Sequence, residues 1–240
     1  MVRALVPLKD LVQAKTRLAG LLSPSERRAL AQAMLEDVLA VLAAQPQLEG
    51  ITLVSDDPSA HLLAAQFGAA HWRESELGSR GLNGIVTAAS ARLLAGNGGD
   101  ILLVHADLPL LASADIAAVL ALREQSAGLV IGCDRRGSGT NLLCYDAASA
   151  PVFSFGADSC AAHLAAAARR GIPARVLARE GIGFDVDEPG DLAQLLQRLG
   201  RTSAGATADY LRRTDLAARL GPALDSLDSP ERQPERKEVN

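Results

Sequence analysis

Residues 101–111 read ILLVHADLPLL, and the fold follows from how this stretch is read. Four apolar residues in succession, 101–104, show neither the 3.6-residue stripe of a half-exposed helix nor the alternation of a half-exposed strand. Such a run suits a parallel strand buried on both faces. Asp107 follows ILLVHA directly and precedes Pro109 by two residues, at the carboxyl end of the expected strand. Ligands of open parallel sheets bind beyond those ends. On position alone, Asp107 reads about equally well as a turn residue or as a ligand.

Outward from this stretch the pattern repeats. Residues 4–8, 51–55, 129–132, 142–145, 175–177 and 182–186 read as further strands, with a short extended piece near His71 and Trp72. Helices are expected between them. The first has Ser23 as N-cap, Pro24 as first helical residue and Glu26 closing a capping box. Leu30, Met34, Leu35, Val38, Val41 and Leu42 follow at helical spacing. Helices are also expected over 58–67 (stopped by Gly68), 84–94 (followed by a GNGG turn), from a Ser113 cap through Leu122, over 158–170 (ended by Gly171), and from Pro189 to Leu199. Alternation of this kind means an α/β fold, a mostly parallel sheet with helices on both faces. The pattern changes near residue 201. We divide the chain into a domain over 1–200 and a C-terminal extension over 201–240. Residues 208–220 read as one amphipathic helix, and the charged end, 228–240, as disordered.

Composition narrows the function. The chain has 240 residues, 48% of them hydrophobic, enough for a sizeable core. A net charge of −4 gives no reason to expect nucleic acid or an anionic membrane as partner. No segment has the roughly 18 unbroken apolar residues of a membrane span. The N-terminal apolar run is too short for a signal peptide, so a cytoplasmic location is expected. The three cysteines, Cys133, Cys144 and Cys160, lack CxxC spacing and read as free thiols of a reducing compartment. The oligomeric state stays open, a homo-oligomer included.

Several groups could carry chemistry at the strand ends. In GFDVDEPGDL, Asp185 and Asp187 are two residues apart. On an extended strand they share a face, about 7 Å apart, where like charges call for a cation or donor between them. Val186 would then pack inward. The alternative is a solvated strand end, with Asp191 favouring the next helix's N-terminus. Three carboxylates suit a hard cation such as Mg2+ better than zinc. Lys9, Lys15 and Arg17 follow the first strand and could hold a polyphosphate, or simply line a solvated loop. No GxxxxGK[ST] or GxGxxG is present, which argues against a P-loop NTPase and a dinucleotide-dependent oxidoreductase. In FSFGADSCAAHL, Gly156 permits close backbone approach, and a helix beginning at Asp158 or Ser159 favours an anion. Ordinary capping explains these residues as well. Thr140, in GSGTN, offers a hydroxyl or belongs to a plain turn. His163, alone on a helix, ranks low as a catalytic group.

Taken together, VPLK, AKTRLAGLLSPSERRALAQAMLEDVL, RGLNGIV, HADLPLL, GTNLL, FSFGADSCAAHL and FDVDEPGDL resemble, in order, the CofC/FbiD-type guanylyltransferases of coenzyme F-420 biosynthesis. They cover about residues 3–197. The resemblance implies a nucleotide-diphospho-sugar transferase-like fold. It implies transfer from GTP to a phosphorylated three-carbon acid with release of pyrophosphate. The acid is 2-phospho-L-lactate, phosphoenolpyruvate or 3-phospho-D-glycerate in different members, and phosphoenolpyruvate is favoured here. By the same resemblance Asp107, Asp185 and Asp187 bind one or two Mg2+. Lys15 and Arg17 face phosphate, Thr140, Gly156 and Ser159 bind the acid, and Leu82 and Asn83 flank the guanine. His105 and Cys160 depart from the family pattern beside ligand-facing positions and leave the acid preference open. Three other readings compete: a related transferase using another nucleotide or a sugar phosphate, a DxD-type phosphatase, and a non-catalytic nucleotide-binding module. The phosphatase motif belongs on an early strand, whereas FDVDEP comes late.

Overall fold

The computed structural model describes residues 1–9, 11, 15–96, 98–200 and 203–220. Its first strand, β1 (Val2–Pro7), shows how the interior is divided. Ala4 and Val6 face one buried cluster and Leu5 the other, so the strand is covered on both sides. The same holds for β4 (Asp100–Val104), where Leu102 and Val104 join the first cluster, Ile101 and Leu103 the second. The unbroken apolar runs of the sequence are therefore strands with no solvent face.

Around these lie β2 (Leu48–Val54), β3 (Ala70–Trp72), β5 (Leu129–Cys133), β6 (Thr140–Tyr145) and β7 (Ala174–Leu177). The seven-stranded sheet has the order β3-β2-β1-β4-β6-β5-β7. All neighbours are parallel except the two pairs made by β6, which runs against β4 and β5. The short connection over 134–139 explains the reversal, because a parallel pairing needs a crossover of a dozen or more residues. Strand order changes direction between β1 and β4. That point is the switch at which ligands of open α/β sheets bind.

Helices α1 (Pro24–Ala43), α2 (Ala60–Gln66), α4 (Ser113–Gln125), α7 (Pro189–Arg198) and α8 (Ala206–Arg213) contribute to the first cluster. Helices α3 (Gly81–Leu94) and α5 (Ser159–Arg169) build the second. The start of α1 is set locally, as its sequence predicts. Ser23 accepts from the Glu26 N–H at 3.3 Å, and Glu26 accepts from the Ser23 N–H at 2.8 Å. Met34, Leu35, Val38, Leu39 and Leu42 are then fully buried on its inner face, each stabilising by about 1.5–3 kcal/mol.

The structure corrects four expectations. Residues 182–186 are not a sheet strand. Glu180–Gly183 forms one helical turn, α6, and residues 184–187 have no regular secondary structure and no β partner among the described residues. Ile182, Phe184 and Val186 are nevertheless all buried, and so is Gly183 between the first two. Buried apolar residues do not by themselves supply a neighbouring strand to pair with. Ser113 is the first helical residue of α4 rather than its cap, and Asp115 reaches back to the Ala112 N–H at 3.0 Å. Residues 208–220 are not one helix: α8 ends at Arg213, the chain bends, and residues 216–220 resume helically. Cys133 and Cys160 are not free but disulfide-bonded, with their Cα atoms 6.1 Å apart, while Cys144 is free and buried.

Part of the segment assigned to the C-terminal extension joins the core. Leu211, Leu216 and Leu220 are buried in the first cluster. Asp37 of α1 accepts from the Ala206 and Thr207 N–H groups at 2.6 and 2.9 Å. The end expected to be disordered, 228–240, lies outside the described residues. Among the described residues no helix is long and apolar enough to cross a membrane.

Candidate active site

Lys15 is the centre of the site. Its backbone is left-handed (φ 54°) as it enters a 3-10 turn, Thr16–Leu18. Its ammonium lies 2.6 Å from Asp107 Oδ2 and 2.9 Å from Asp187 Oδ1. The Lys15 side chain is only 7% exposed, so the ammonium is sheltered, while the Asp107 and Asp187 side chains remain 27% and 46% exposed. Burial would lower the Lys15 pKa, but Asp107 and Asp187 outweigh it and hold the ammonium above its usual value. Burial likewise opposes ionisation of Asp107, and Lys15 overrides it, so the carboxyl stays below the usual range.

Each member is held from a different part of the fold. Asp107 follows β4. Leu11 is tied to the loop after β2, since its N–H donates to Asp57 Oδ2 at 3.0 Å. Asp57 is 2% exposed and is itself fixed by the Ser59 N–H at 2.8 Å and by Arg28 at 3.6 Å. The 185–187 segment, lacking sheet partners, is anchored by side chains. Asp191 Oδ2 accepts from the Asp187 and Glu188 N–H groups, both at 2.8 Å. Asn141 donates to the Ile182 carbonyl at 3.0 Å and to Asp185 Oδ1 at 3.4 Å. Arg135 donates its backbone N–H to the Gly183 carbonyl at 2.8 Å and pairs through its side chain with Asp191. Ile182 approaches β5 at Gly132, where an added Cβ would lie 2.5 Å from its Cγ2. Val186 is buried between the two aspartates, as the spacing predicts.

These residues border a cavity of about 460 Å³ beyond the ends of β1 and β4. Lys9, Lys15, Arg17, Leu82, Asp107 and Asp187 all line it, with Pro7, Leu8, Ile85, Glu74 and His105. Arg17 is exposed and pairs with Glu188 at 3.2 Å. Asp185 is not among the lining residues. Burial, then the charges of Asp107 and Asp187, raise its pKa.

The expected acid-binding residues form a second group. Thr140 and Ser159 are 3% and 2% exposed, Gly156 is exposed with φ 141°, and none lines the cavity. One of the free N–H groups of α5 is already used, because Cys160 donates to the Ser138 carbonyl at 2.9 Å. His163 is fully buried behind Thr140. Its Nε2 accepts from the Ser154 N–H at 3.0 Å, so in the neutral ring Nδ1 carries the proton and donates to Thr140 Oγ1 at 3.1 Å. Burial, and then His105, depress the His163 pKa to about 4. A ring contact joins the two groups: Phe155 lies 4.9 Å from His105 and 5.1 Å from His163. Asn83 does not line the cavity. Both ends of its amide hold the Phe155 backbone, at 3.1 and 2.7 Å.

The residues whose part in the site the sequence does not show are mostly supports: Asp57 and Asn141, together with Asp191, read only as a helix-start acid, and His163, ranked low. SDDP at 55–58 and GDL at 190–192 carry the acids before or within a helix start. Nothing in either stretch names its distant partner.

As they stand, no three His, Cys, Asp or Glu side chains among the described residues form a metal-holding group. The donor set nevertheless fits a hard cation. Its ligating atoms are carboxylate oxygens, and Asp107 Oδ1 is buried with no hydrogen-bond partner among the described residues.

An open α/β sheet with carboxylates and cations gathered at its switch point can hold a polyphosphate with a hard cation, as an enzyme of nucleotidyl transfer must. Solved structures agree on the fold. A protein described as a nucleotide-diphospho-sugar transferase from Desulfovibrio desulfuricans G20 superposes with a TM-score of 0.75 at 18% identity, covering 92% of this chain and 97% of that one. A 4-diphosphocytidyl-2C-methyl-D-erythritol synthase gives 0.58 at 15% identity, covering 83% and 99%. The profile of the family described as "Guanylyl transferase CofC like" matches residues 2–224, and the chain belongs to that family. A phosphoenolpyruvate guanylyltransferase of Rubrobacter xylanophilus is 40% identical over 192 residues, 80% of this chain and 92% of the relative. A 3-phospho-D-glycerate guanylyltransferase of Phenylobacterium zucineum is 33% identical over 222 residues, 89% and 98%.

Proposed function

We propose that this chain transfers the guanylyl group of GTP to phosphoenolpyruvate and releases pyrophosphate, as a step of coenzyme F-420 biosynthesis. The observation that carries this reading is the convergence of Lys15, Asp107 and Asp187 on the switch-point cavity. The 40% identical relative supports phosphoenolpyruvate as acceptor, and the 33% identical one makes 3-phospho-D-glycerate the arm to test against it.

A phosphate dianion is already a nucleophile, so its attack on the α-phosphorus of GTP needs no general base. The protein's task is to align two polyanions and offset their repulsion. Lys15 supplies a sheltered cation at the reacting end, and Lys9 and Arg17 extend it toward the leaving pyrophosphate. Asp107, Asp185 and Asp187 are the groups to hold Mg2+. When bound, the ion neutralises charge developing on the phosphate oxygens. Asn141 and Asp191 keep the aspartates in place through the bonds described. We assign the acceptor's anionic end to Thr140, Gly156 and Ser159. Thr140 and Ser159 are nearly closed from solvent, so an acceptor bound there would have to expose them.

The test is mass spectrometry of products from GTP, Mg2+ and each of the three acids in turn. A guanylylated phosphoenolpyruvate is expected as the main product. A main product with another acid corrects the acceptor, and none with any acid removes the proposal.

A further inference from the structure

The cavity has one carboxylate that the reading above does not use. Glu74 lies just after β3, on the short 3-10 turn Glu74–Leu77, and lines the cavity. The turn is tethered to the loop after β2: Asp56 accepts from the Ser75 N–H at 3.2 Å and from the Ser75 hydroxyl at 3.0 Å. Glu74 itself has no hydrogen bond or ion pair among the described residues. Burial and then Asp56 hold its carboxyl above the usual range, with Lys9 opposing. It is a partly withdrawn acceptor facing a cavity, with donors still to be found.

Its place along the sheet is informative. The parallel strands β3, β2, β1 and β4 end on one edge in that order. Glu74 follows β3 and Asp107 follows β4, three strand spacings away, or roughly 14 Å. That separation matches the reach from the Watson–Crick edge of a purine to its phosphates. The lining also offers apolar surface, with Pro7, Leu8, Leu82 and Ile85 beside the charged Lys9, as the faces of a base require.

Building on the guanylyltransferase reading, we propose that Glu74 selects the base, its two carboxylate oxygens accepting the N1–H and the 2-amino group of guanine. Adenine offers a lone pair at N1 and no 2-amino group, and is repelled. Hypoxanthine loses one of the two bonds. Xanthine presents an oxygen at position 2 toward the carboxylate and is rejected, but it suits an amide, which accepts from N1–H and donates to O2.

The experiment compares kcat/KM for GTP, ITP and XTP in wild type, Glu74→Gln and Glu74→Ala, with direct calorimetric binding of GTP and XTP. Wild type should prefer GTP to XTP by at least about 100-fold and to ITP by about 10-fold, as lost charge-assisted bonds imply. Glu74→Gln should reverse the GTP/XTP preference. A gain of XTP use cannot come from misfolding. Glu74→Ala should bring the GTP/ITP ratio to within about threefold of one. Folding of both variants is checked by their unfolding midpoints. A folded Glu74→Gln that keeps the wild-type GTP/XTP ratio, in turnover or in binding, overturns the proposal. The two readings fail separately: wild type using no GTP removes the guanylyltransferase reading, whereas GTP use with unaltered selectivity in the variants removes only the role of Glu74.

Discussion

Asp107→Asn keeps the shape of the side chain and removes its charge, so it isolates what that charge does. Turnover at saturating Mg2+ should fall by about 2–4 kcal/mol of barrier, the loss typical of one preorganised charge-stabilising group. Steady-state assays across a Mg2+ titration check this, and near-native turnover would sink the metal assignment. His163 gives a different kind of expectation. Its folded pKa of about 4 lies below the unfolded value of 6.5. Above pH 6.5 both states are neutral and stability is whole. As the pH falls from 6.5 toward 4, the unfolded chain takes up a proton that the buried ring refuses. Stability should drop over that window by about 3 kcal/mol. Denaturant midpoints of wild type and His163→Gln between pH 7 and 4 check it, the variant losing this share of the slope. The sequence offered Lys15, Asp107 and Asp187 as three separate candidates. It could not show that the first stands between the other two, because the contacts span 92 and 172 residues.

At the scale of elements, what was legible followed from locality. The Ser23–Glu26 cap closes within four residues, so the chain order alone specifies it. The doubly covered strands β1 and β4 were readable because burial on both faces leaves an unbroken apolar run. The 182–186 stretch is not a strand because its apolar burial has another origin. Three side chains pack inward while the backbone bonds to Asn141 and Arg135 rather than to a strand. Such a segment depends on a few side-chain anchors. Asp191→Ala should therefore cost about 1–2 kcal/mol of stability and also impair Mg2+-dependent turnover, since two N–H groups beside Asp187 lose their acceptor. Thermal unfolding together with kcat tests both halves. Loss of stability with fully native turnover would mean that Asp191 serves the α7 start alone.

Across the whole molecule, long-range ties connect regions that the sequence reading kept apart. Arg219 pairs with Glu26 at 2.6 Å, so the capping residue of α1 also fastens the segment after α8. Glu26 has its pKa lowered to about 2, first by the Arg219 hydrogen bond and then by Ser23. The Cys133–Cys160 bond joins the end of β5 to the start of α5 across 27 residues. No spacing rule reveals a pair of this kind, because only the folded sheet brings its ends together. Closing a loop of that size removes unfolded-state entropy worth about 3.5 kcal/mol. Reductant should lower the unfolding midpoint of the wild type by several degrees and leave Cys160→Ser unmoved. Equal midpoints with and without reductant would mean that the bond adds nothing to stability.

The ammonium held between Asp107 and Asp187 also bears on the order in which reactants arrive. A site that already contains its own counter-charge has little appetite for a free divalent ion. Mg2+ should therefore enter most readily as its GTP complex, whose phosphates give the displaced lysine somewhere to go. Lys15→Gln leaves the carboxylates unneutralised and should tighten Mg2+ binding to the free protein by roughly tenfold, on the scale of one lost ion pair, even as it slows turnover. Calorimetry of Mg2+ alone separates these effects, and unchanged or weaker binding by the variant would show that the lysine does not compete with the ion.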